Sequence, residues 1–184
     1  MEPIGKTILI TGSTDGVGRA AAGRLGAAGA KVLVHGRDRP RGEQMVKAIR
    51  HSGGDADFYP ADLASLAEVR TLADAVLQKH NRLDVLVNNA GIGTGGPAGQ
   101  REESADGYEL RFAVNYLAGF LLSRLLLPRL KASAPAGIVN VSSLGQQAID
   151  FDDVMLTRGY SGNRAYCQSK LAQILFTLDL AEGA

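Results

Sequence analysis

The stretch Thr-Ile-Leu-Ile-Thr-Gly-Ser-Thr-Asp-Gly-Val-Gly-Arg, from Thr7 to Arg19, decides the fold. It begins as a short apolar run of β-forming residues, turns through three glycines spaced G-x-x-x-G-x-G, and enters an Ala-rich helical stretch at 19–28. A buried strand, a glycine-rich turn and a helix N-terminus form an anion site, because the free N–H groups and the positive dipole end point over the turn. The stretch therefore predicts dinucleotide binding, although an ordinary strand–helix turn can also need such glycines.

Size and composition fit one domain spanning 1–184. Lys and Arg (20) nearly balance Asp and Glu (19), so the sequence predicts no nucleic-acid partner. A single cysteine excludes an internal disulfide and favours a reducing, cytoplasmic location. The most apolar stretch, 116–127, is too short to span a bilayer, so no membrane anchor is expected. The three histidines do not cluster at ligand spacing, and we predict no metal.

Short apolar runs alternate with helix-like runs along the whole chain. This alternation predicts an α/β fold, a doubly wound parallel sheet (Rossmann fold) covered on both faces by helices. The predicted strands are 8–10, 31–35, 56–60, 83–87 and 138–141, and the predicted helices are 19–28, 40–51, one starting at Ser65, 104–131 and 163–182.

Ligands of such sheets bind at the carboxyl ends of the strands, near the switch in strand order. Five residues end or directly follow a predicted strand, and we expect them to converge there: Gly12, Gly36, Asp62, Asn89 and Ser143.

Three further places could supply chemistry. Tyr166 and Lys170 are four residues apart and so lie on one helix face, where an ammonium would help a phenol exchange a proton near neutral pH. Ser143 could hydrogen-bond a substrate oxygen, or be a strand-end or cap serine. Asn115, a polar residue in an apolar helix, could be a structural hydrogen-bond hub or part of a water relay.

Taken together, these motifs resemble those of the short-chain dehydrogenase/reductase family, single-domain branch. The motifs occur in the family's order between Lys6 and about Glu182: T-G-S-T-D-G-V-G (11–18), A-D-L (61–63), N-N-A-G (88–91), Asn115, I-V-N-V-S-S (138–143) and Y-C-Q-S-K (166–170). The long gap between Ser143 and Tyr166, followed by N-R-A-Y-C-Q-S-K-L, is most similar to the retinol-dehydrogenase-like group.

The resemblance implies roles for the catalytic residues. Tyr166 would be the general acid/base, Lys170 would favour its phenolate and bind the nicotinamide ribose, Ser143 would polarise the substrate carbonyl, and Asn115 would hold a water linked to Lys170. The implied cofactor contacts come from the turn and the strand ends: Gly12, Ser13, Thr14, Asp15, Gly16, Val17, Gly18, Arg37, Asp62, Leu63, Asn89, Ala90, Gly91, Tyr166 and Lys170.

The end of the second strand bears on cofactor choice. An acid there would accept hydrogen bonds from the ribose of NAD, whereas an arginine would pair with the 2′-phosphate of NADP. Gly36 stands where the acid would be and Arg37 follows it, so we predict that NADP(H) is favoured over NAD(H). Asp15 in the glycine turn argues the other way, and Asp38 is close enough to complicate the choice.

The leading interpretation is an NADP-dependent oxidoreductase acting on a small-molecule carbonyl or alcohol, which is often lipophilic in the group it resembles. The resemblance also implies a homodimer or homotetramer, and a C-terminal part with further strands that this chain lacks. The alternatives are a non-catalytic nucleotide-binding sensor on the same fold and, ranked last, a sugar-nucleotide epimerase.

Overall fold

Five short strands form one parallel sheet in the computed structural model, which describes residues 2–95 and 99–183. The strands are β1 (Thr7–Ile10), β2 (Lys31–Gly36), β3 (Asp55–Pro60), β4 (Val85–Asn88) and β5 (Gly137–Asn140). Their order across the sheet is β3-β2-β1-β4-β5, so the winding reverses between β1 and β4. This is the predicted doubly wound α/β domain, and its switch point lies where the glycine turn leaves β1.

Five helices cover the sheet. They are α1 (Gly16–Ala27), α2 (Arg39–His51), α3 (Leu66–Lys79), α4 (Leu110–Ala132) and α5 (Gly162–Glu182). Helix α3 begins where the sequence predicts, after Ser65, whose Oγ caps it by accepting from the Glu68 amide at 3.3 Å. The Glu68 carboxylate does not reach back to Ser65 but accepts from the Asp62 amide at 2.7 Å, and so fixes the segment after β3.

Two apolar clusters hold the helices on opposite faces of the sheet. In β1, Leu9 belongs to the cluster with α3 and α4, whereas Ile8 and Ile10 belong to the cluster with α1 and α2. All three side chains are buried. The alternation follows from the period of two in a strand, and a continuous apolar run is what a strand covered on both faces requires.

The long helix begins later than its sequence predicts, at Leu110 and not at Ser104. Ser104 Oγ instead accepts from the Asp106 and Tyr108 amides, and Gly107 has a positive φ of 81°. A serine that bonds nearby amides competes with the helix, and a left-handed residue cannot lie within one. Glu109 then caps the helix by accepting from the Phe112 amide at 2.7 Å.

α4 contains a π-helical turn, Ala113–Leu117, and Pro128 lies within its last turns. The sequence predicts no apolar span of membrane length, but this 23-residue helix is long and apolar enough by composition, with a mean hydropathy of 1.4 over its most apolar 18-residue window. Of that window, 44% is buried inside the domain, where the helix packs on α3. Core helices of soluble proteins meet the same criteria.

Candidate dinucleotide and catalytic site

The glycine turn packs tightly against the segment that follows β4. Gly12 has a positive φ of 64°, and a Cβ on it would lie 2.9 Å from Ala90 Cα. A Cβ on Gly18 would lie 2.3 Å from the Gly12 carbonyl oxygen and 2.4 Å from Asn89 Nδ2. Since real Cβ atoms do not approach so closely, both positions need glycine for the turn to close.

Asn89 fastens this turn through its side chain. Its Nδ2 donates to the carbonyls of Thr11 at 2.9 Å and Gly12 at 3.2 Å. Thr11 Oγ1 in return accepts from the Asn89 and Ala90 amides, each at 3.0 Å. The motif after β4 therefore shapes the glycine turn, in addition to any direct contact with a cofactor.

The N-terminus of α1 presents free amides beside the turn. Asp15 caps it, its carboxylate accepting from the Gly16 amide at 2.8 Å. Within residues 2–95 and 99–183, the Val17 and Gly18 amides have no hydrogen-bond acceptor. Such amides at the positive end of a helix dipole suit a phosphate group.

A cavity of about 520 Å³ lies over these amides, at the carboxyl ends of the strands. Its size is typical of a small-molecule or cofactor site. Gly36 and twelve of the fifteen predicted cofactor contacts line it: Gly12, Thr14, Asp15, Gly16, Val17, Gly18, Arg37, Asp62, Leu63, Asn89, Ala90 and Gly91. Tyr166 and Lys170 are not among the lining residues in the part of the chain that the structure describes. The glycine cradle, the free amides and the cavity together fit a dinucleotide.

Ser13 is predicted as a cofactor contact, but the structure places it away from the cavity lining. Its side chain is buried, and Oγ donates to the Ile10 carbonyl at 2.8 Å. The same oxygen accepts from the His35 amide at 2.9 Å. Ser13 therefore joins the turn to β2 and has no free hydroxyl for a ligand.

Charged side chains gather at one end of the cavity. Arg37 lies 3.8 Å from Asp62, and Arg41 lies 3.5 Å from both Asp15 and Asp38. All of these pairs are exposed, so each contributes little to stability and can rearrange around a ligand. The two arginines line the cavity and could receive an anion there.

The predicted Tyr166–Lys170 pair is formed on α5. Lys170 Nζ lies 5.9 Å from the centroid of the Tyr166 ring. The lysine is buried and donates to the Val141 carbonyl at 2.9 Å and to Gln173 Oε1 at 3.3 Å. Burial lowers the pKa of Lys170. These partners hold the amine against the end of β5.

The two serines after β5 have different partners. Ser142 Oγ donates to the Lys170 carbonyl at 2.9 Å, whereas Ser143 Oγ accepts from the Gly145 amide at 3.1 Å. A Cβ on Gly145 would lie 3.5 Å from Ser143 Oγ and 3.7 Å from Tyr166 Cε1. Ser143 and Tyr166 therefore border the same small space, while Ser142 fixes the backbone of α5.

Asn115 lies in the π-helical turn of α4 and is buried. Its side chain accepts from the Ile92 amide at 2.8 Å and donates to the Ile92 carbonyl at 3.1 Å and to Ser169 Oγ at 3.0 Å. Asn115 is thus a hydrogen-bond hub between the segment after β4 and α5. The Cβ position of Gly91 lies 3.2 Å from Asn115 Oδ1 and 3.6 Å from Lys170 Nζ. Because Gly91 also lines the cavity, this group borders the proposed cofactor space.

Sequence reasoning missed His35, which also lines the cavity. It is 2% exposed, and its Nδ1 accepts from the Gly12 amide at 3.1 Å. The signal that could have found it is a polar residue ending an otherwise apolar strand beside the glycine turn. Across residues 2–95 and 99–183 no group of three or more His, Cys, Asp or Glu side chains is placed to hold a metal ion.

Sequence and structure were compared with known proteins. A family model described as short chain dehydrogenase matches residues 6–184. Retinol dehydrogenase 13 of Homo sapiens is 42% identical over 182 residues, covering 96% of this chain and 54% of that protein. A metagenomic short-chain oxidoreductase solved with NADP has a TM-score of 0.80 and 30% identity, covering 100% of this chain and 78% of that one.

A short chain dehydrogenase/reductase from Burkholderia phymatum, solved with NAD, has a TM-score of 0.78 and 29% identity. The match covers 100% of this chain and 62% of that one. The chain spans about half the length of the curated relatives it matches.

Proposed function

Because this chain belongs to the short-chain dehydrogenase/reductase family, and is similar to its retinol-dehydrogenase-like members, we propose that it binds a nicotinamide dinucleotide and interconverts a carbonyl and an alcohol. The observation that carries the proposal is the position of Gly91. This residue lines the cavity over the free amides of α1, and its Cβ position lies close to the side chains of Asn115 and Lys170.

The glycine turn, the α1 amides and the strand ends would hold the dinucleotide, and the nicotinamide would supply or accept the hydride. Tyr166 would give a proton to the substrate oxygen in reduction and take it back in oxidation. Ser143 would donate a hydrogen bond to the same oxygen. Its Oγ only accepts from the Gly145 amide, so the hydroxyl proton is available for that bond. Lys170 would place positive charge beside the phenol and so favour its phenolate.

We assign Asn115 a positioning role in this reaction. Its amide holds Ile92 and Ser169 in place, so that the segment after β4 and the Tyr166 helix keep a fixed separation. A water near Asn115 Oδ1 and Lys170 Nζ would complete the route by which the proton on Tyr166 is replaced.

We further propose that the cofactor is NADP(H) in preference to NAD(H). The support is charge: Arg37 and Arg41 line the cavity end where β2 stops, and Gly36 offers no carboxylate to a ribose hydroxyl. The solved relatives named above hold NADP in one case and NAD in the other, so this choice depends on the residues of this chain.

The substrate we propose is a small carbonyl or alcohol of lipophilic character, on the similarity to retinol dehydrogenases. We also propose a homodimer or homotetramer. Phe120 on α4 and Leu175 and Leu178 on α5 are large exposed apolar side chains, and a second subunit packed on these two helices would cover them.

Binding and turnover test these proposals separately. NADPH and NADH are titrated while nicotinamide fluorescence is followed, using the wild type, Arg37→Ala and the control Arg39→Ala, whose side chain pairs with Glu43. We expect only Arg37→Ala to lose NADPH preference, by about tenfold. An unchanged preference in Arg37→Ala would contradict the NADP assignment.

Turnover is measured over a panel of lipophilic aldehydes and ketones for the wild type, Tyr166→Phe and the control Tyr108→Phe, which lies before α4. We expect Tyr166→Phe to lose turnover by about 10²-fold or more while still binding cofactor. Intact turnover in Tyr166→Phe would overturn the proposed chemistry.

A further inference from the structure

His35 is joined to the glycine turn by its ring and by its backbone. The ring Nδ1 accepts from the Gly12 amide at 3.1 Å. The His35 carbonyl accepts from the Ser13 amide at 2.9 Å, and the His35 amide donates to Ser13 Oγ at 2.9 Å. One residue of β2 thus fixes two consecutive residues of the turn that follows β1.

The contact with Gly12 requires one particular form of the imidazole. An imidazolium has two N–H donors and no acceptor, so only the neutral ring with its proton on Nε2 can accept at Nδ1. Burial lowers the pKa of His35 to about 4, and the Ala61 backbone and the charge on Asp62 offset only part of that effect. The ring is therefore neutral at physiological pH, and its proton lies on Nε2, which is buried and has no hydrogen-bond partner among the residues that the structure describes.

The hydrogen bond of the Gly12 amide affects the conformation of the whole turn. Gly12 adopts a left-handed conformation and lies against Ala90, so its peptide plane sets the path from β1 to α1. Gly12 is half-buried, and without the His35 acceptor the turn would rotate so that this amide could find another partner. Such a rotation would move the Val17 and Gly18 amides away from the cavity.

We propose that His35, in its neutral form protonated on Nε2, is a positioning residue that holds the glycine turn in the conformation that receives the pyrophosphate of a nicotinamide dinucleotide. This inference rests on the proposed dinucleotide binding and adds to it a residue outside the glycine motif. His35 also lines the cavity.

Two substitutions test whether the hydrogen-bond acceptor Nδ1 or only the volume of the His35 ring is needed. His35→Asn keeps an acceptor oxygen at the same number of bonds from the backbone as Nδ1, whereas His35→Leu fills the space without one. Kd for NADPH and for NADH is measured by nicotinamide fluorescence, and the thermal midpoint of each cofactor-free variant is recorded beside it. We expect His35→Leu to bind both cofactors about tenfold more weakly and His35→Asn to stay within about threefold of the wild type.

The tautomer of the His35 ring can be measured directly, and it distinguishes the proposed role from a merely structural one. Imidazole ¹⁵N shifts of the cofactor-free protein at neutral pH should show Nδ1 unprotonated and Nε2 protonated at His35. The opposite tautomer would overturn the inference, as would wild-type affinity in His35→Leu or equal losses in both variants. A wild type that binds neither cofactor would overturn the proposed function and this inference together, whereas the other outcomes overturn this inference alone.

Discussion

Gly36 lies directly against Thr14, so that a Cβ on Gly36 would be 2.6 Å from Thr14 Cγ2 and 2.7 Å from its Oγ1. The end of β2 therefore has no room for the acidic side chain that would suit NAD unless Thr14 moves. We therefore expect cofactor choice to have a steric part as well as an electrostatic one, because Thr14 of the glycine turn lies where the side chain of that acid would begin.

The steric relationship predicts how a redesign for NADH would behave. Gly36→Asp alone should weaken both cofactors by about tenfold, because the new side chain displaces Thr14 from the turn. Gly36→Asp with Thr14→Ala should recover NADH binding and not NADPH binding. Fluorescence titration of the wild type, the two single variants and the double variant forms a double-mutant cycle that measures the coupling between positions 36 and 14. Additive effects of the two changes would contradict the steric relationship.

The two serines after β5 make a matched pair for the second prediction. Ser143→Ala should lower kcat/KM by about 10²-fold, far more than its loss of the Gly145 bond would lower stability, since its hydroxyl faces the space shared with Tyr166. Ser142→Ala should lower the free energy of unfolding by about 1 kcal/mol and keep turnover, since it removes the bond to the Lys170 carbonyl. Urea unfolding and steady-state kinetics on both variants separate these roles. The reverse pattern would move the substrate contact to Ser142.

Acid sensitivity gives the third prediction, since burial lowers the pKa of His35 from 6.5 to about 4. Between these values the unfolded chain binds more protons than the folded one, so stability rises with pH and is lost as pH falls from 6.5 to 4. The loss should reach about 3 kcal/mol, and His35→Asn should abolish it. Chemical unfolding at a series of pH values measures it, and a pH-independent stability across this window in the wild type would contradict it.

A second loss of stability should follow at lower pH, when Asp84 becomes protonated. Burial acts to raise the pKa of Asp84, but hydrogen bonds from Arg82, the Thr7 amide and Lys6 outweigh it and lower the pKa to about 2. Because this carboxylate stabilises the fold only when ionised, its contribution disappears between pH 3.8 and 2. The His35→Asn variant should keep this lower step, which serves as the internal control.

Much of this molecule follows from the sequence, and most of the exceptions come from contacts between residues far apart in the chain. Apolar runs predict the five strands to within two residues at each end, and twelve of the predicted cofactor contacts line one cavity because parallel strands end on one edge. The contact between His35 and Gly12 joins residues 23 apart, so a polar residue at the end of β2 is visible in the sequence but its partner is not. The burial of Ser13 likewise depends on its bond with the His35 amide, 22 residues away. The late start of α4 has a local cause, since Ser104 bonds the amide of Tyr108 and Gly107 is left-handed.

A buried ionic cluster supports the loop before α5 and gives the fourth prediction. Glu109 is fully buried and Arg111 is 4% exposed, with 3.5 Å between them. Tyr160 donates to Glu109 at 2.9 Å and accepts from Arg111 at 2.7 Å, while Arg111 also donates to the Gly93 carbonyl. Burial, followed by the bond to Glu109, raises the pKa of Tyr160 to about 12. The cluster joins α4 to the segment after β4 and to the loop before α5.

Arg111→Met should therefore cost about 3–5 kcal/mol in the free energy of unfolding, because it leaves the Glu109 carboxylate buried without its cation. Glu109→Gln with Arg111→Met should cost less than Arg111→Met alone. Hydrogen exchange should rise first at 144–162 in Tyr160→Phe, which loses only one hydroxyl. Equal costs for the single and the double variant would show that the ion pair is not the stabilising unit.

Asp15 provides the last prediction, because it stands where an anionic ligand should bind. Its carboxylate caps α1 through the Gly16 amide, is 81% exposed at the side chain and lies 3.5 Å from Arg41. It therefore adds negative charge beside the free Val17 and Gly18 amides and competes with a phosphate for Arg41. Asp15→Asn keeps an oxygen that can cap the helix, but removes the charge. NADPH affinity should rise by about threefold to tenfold in low salt, more than NADH affinity, and the gain should shrink as salt screens it.

Asp55→Asn, at the start of β3 beside Lys31, is the control for a change of net charge alone. If Asp15→Asn weakened NADPH, the Asp15 carboxylate would be holding the turn or Arg41 in place for the cofactor, and the competition argued here would be wrong.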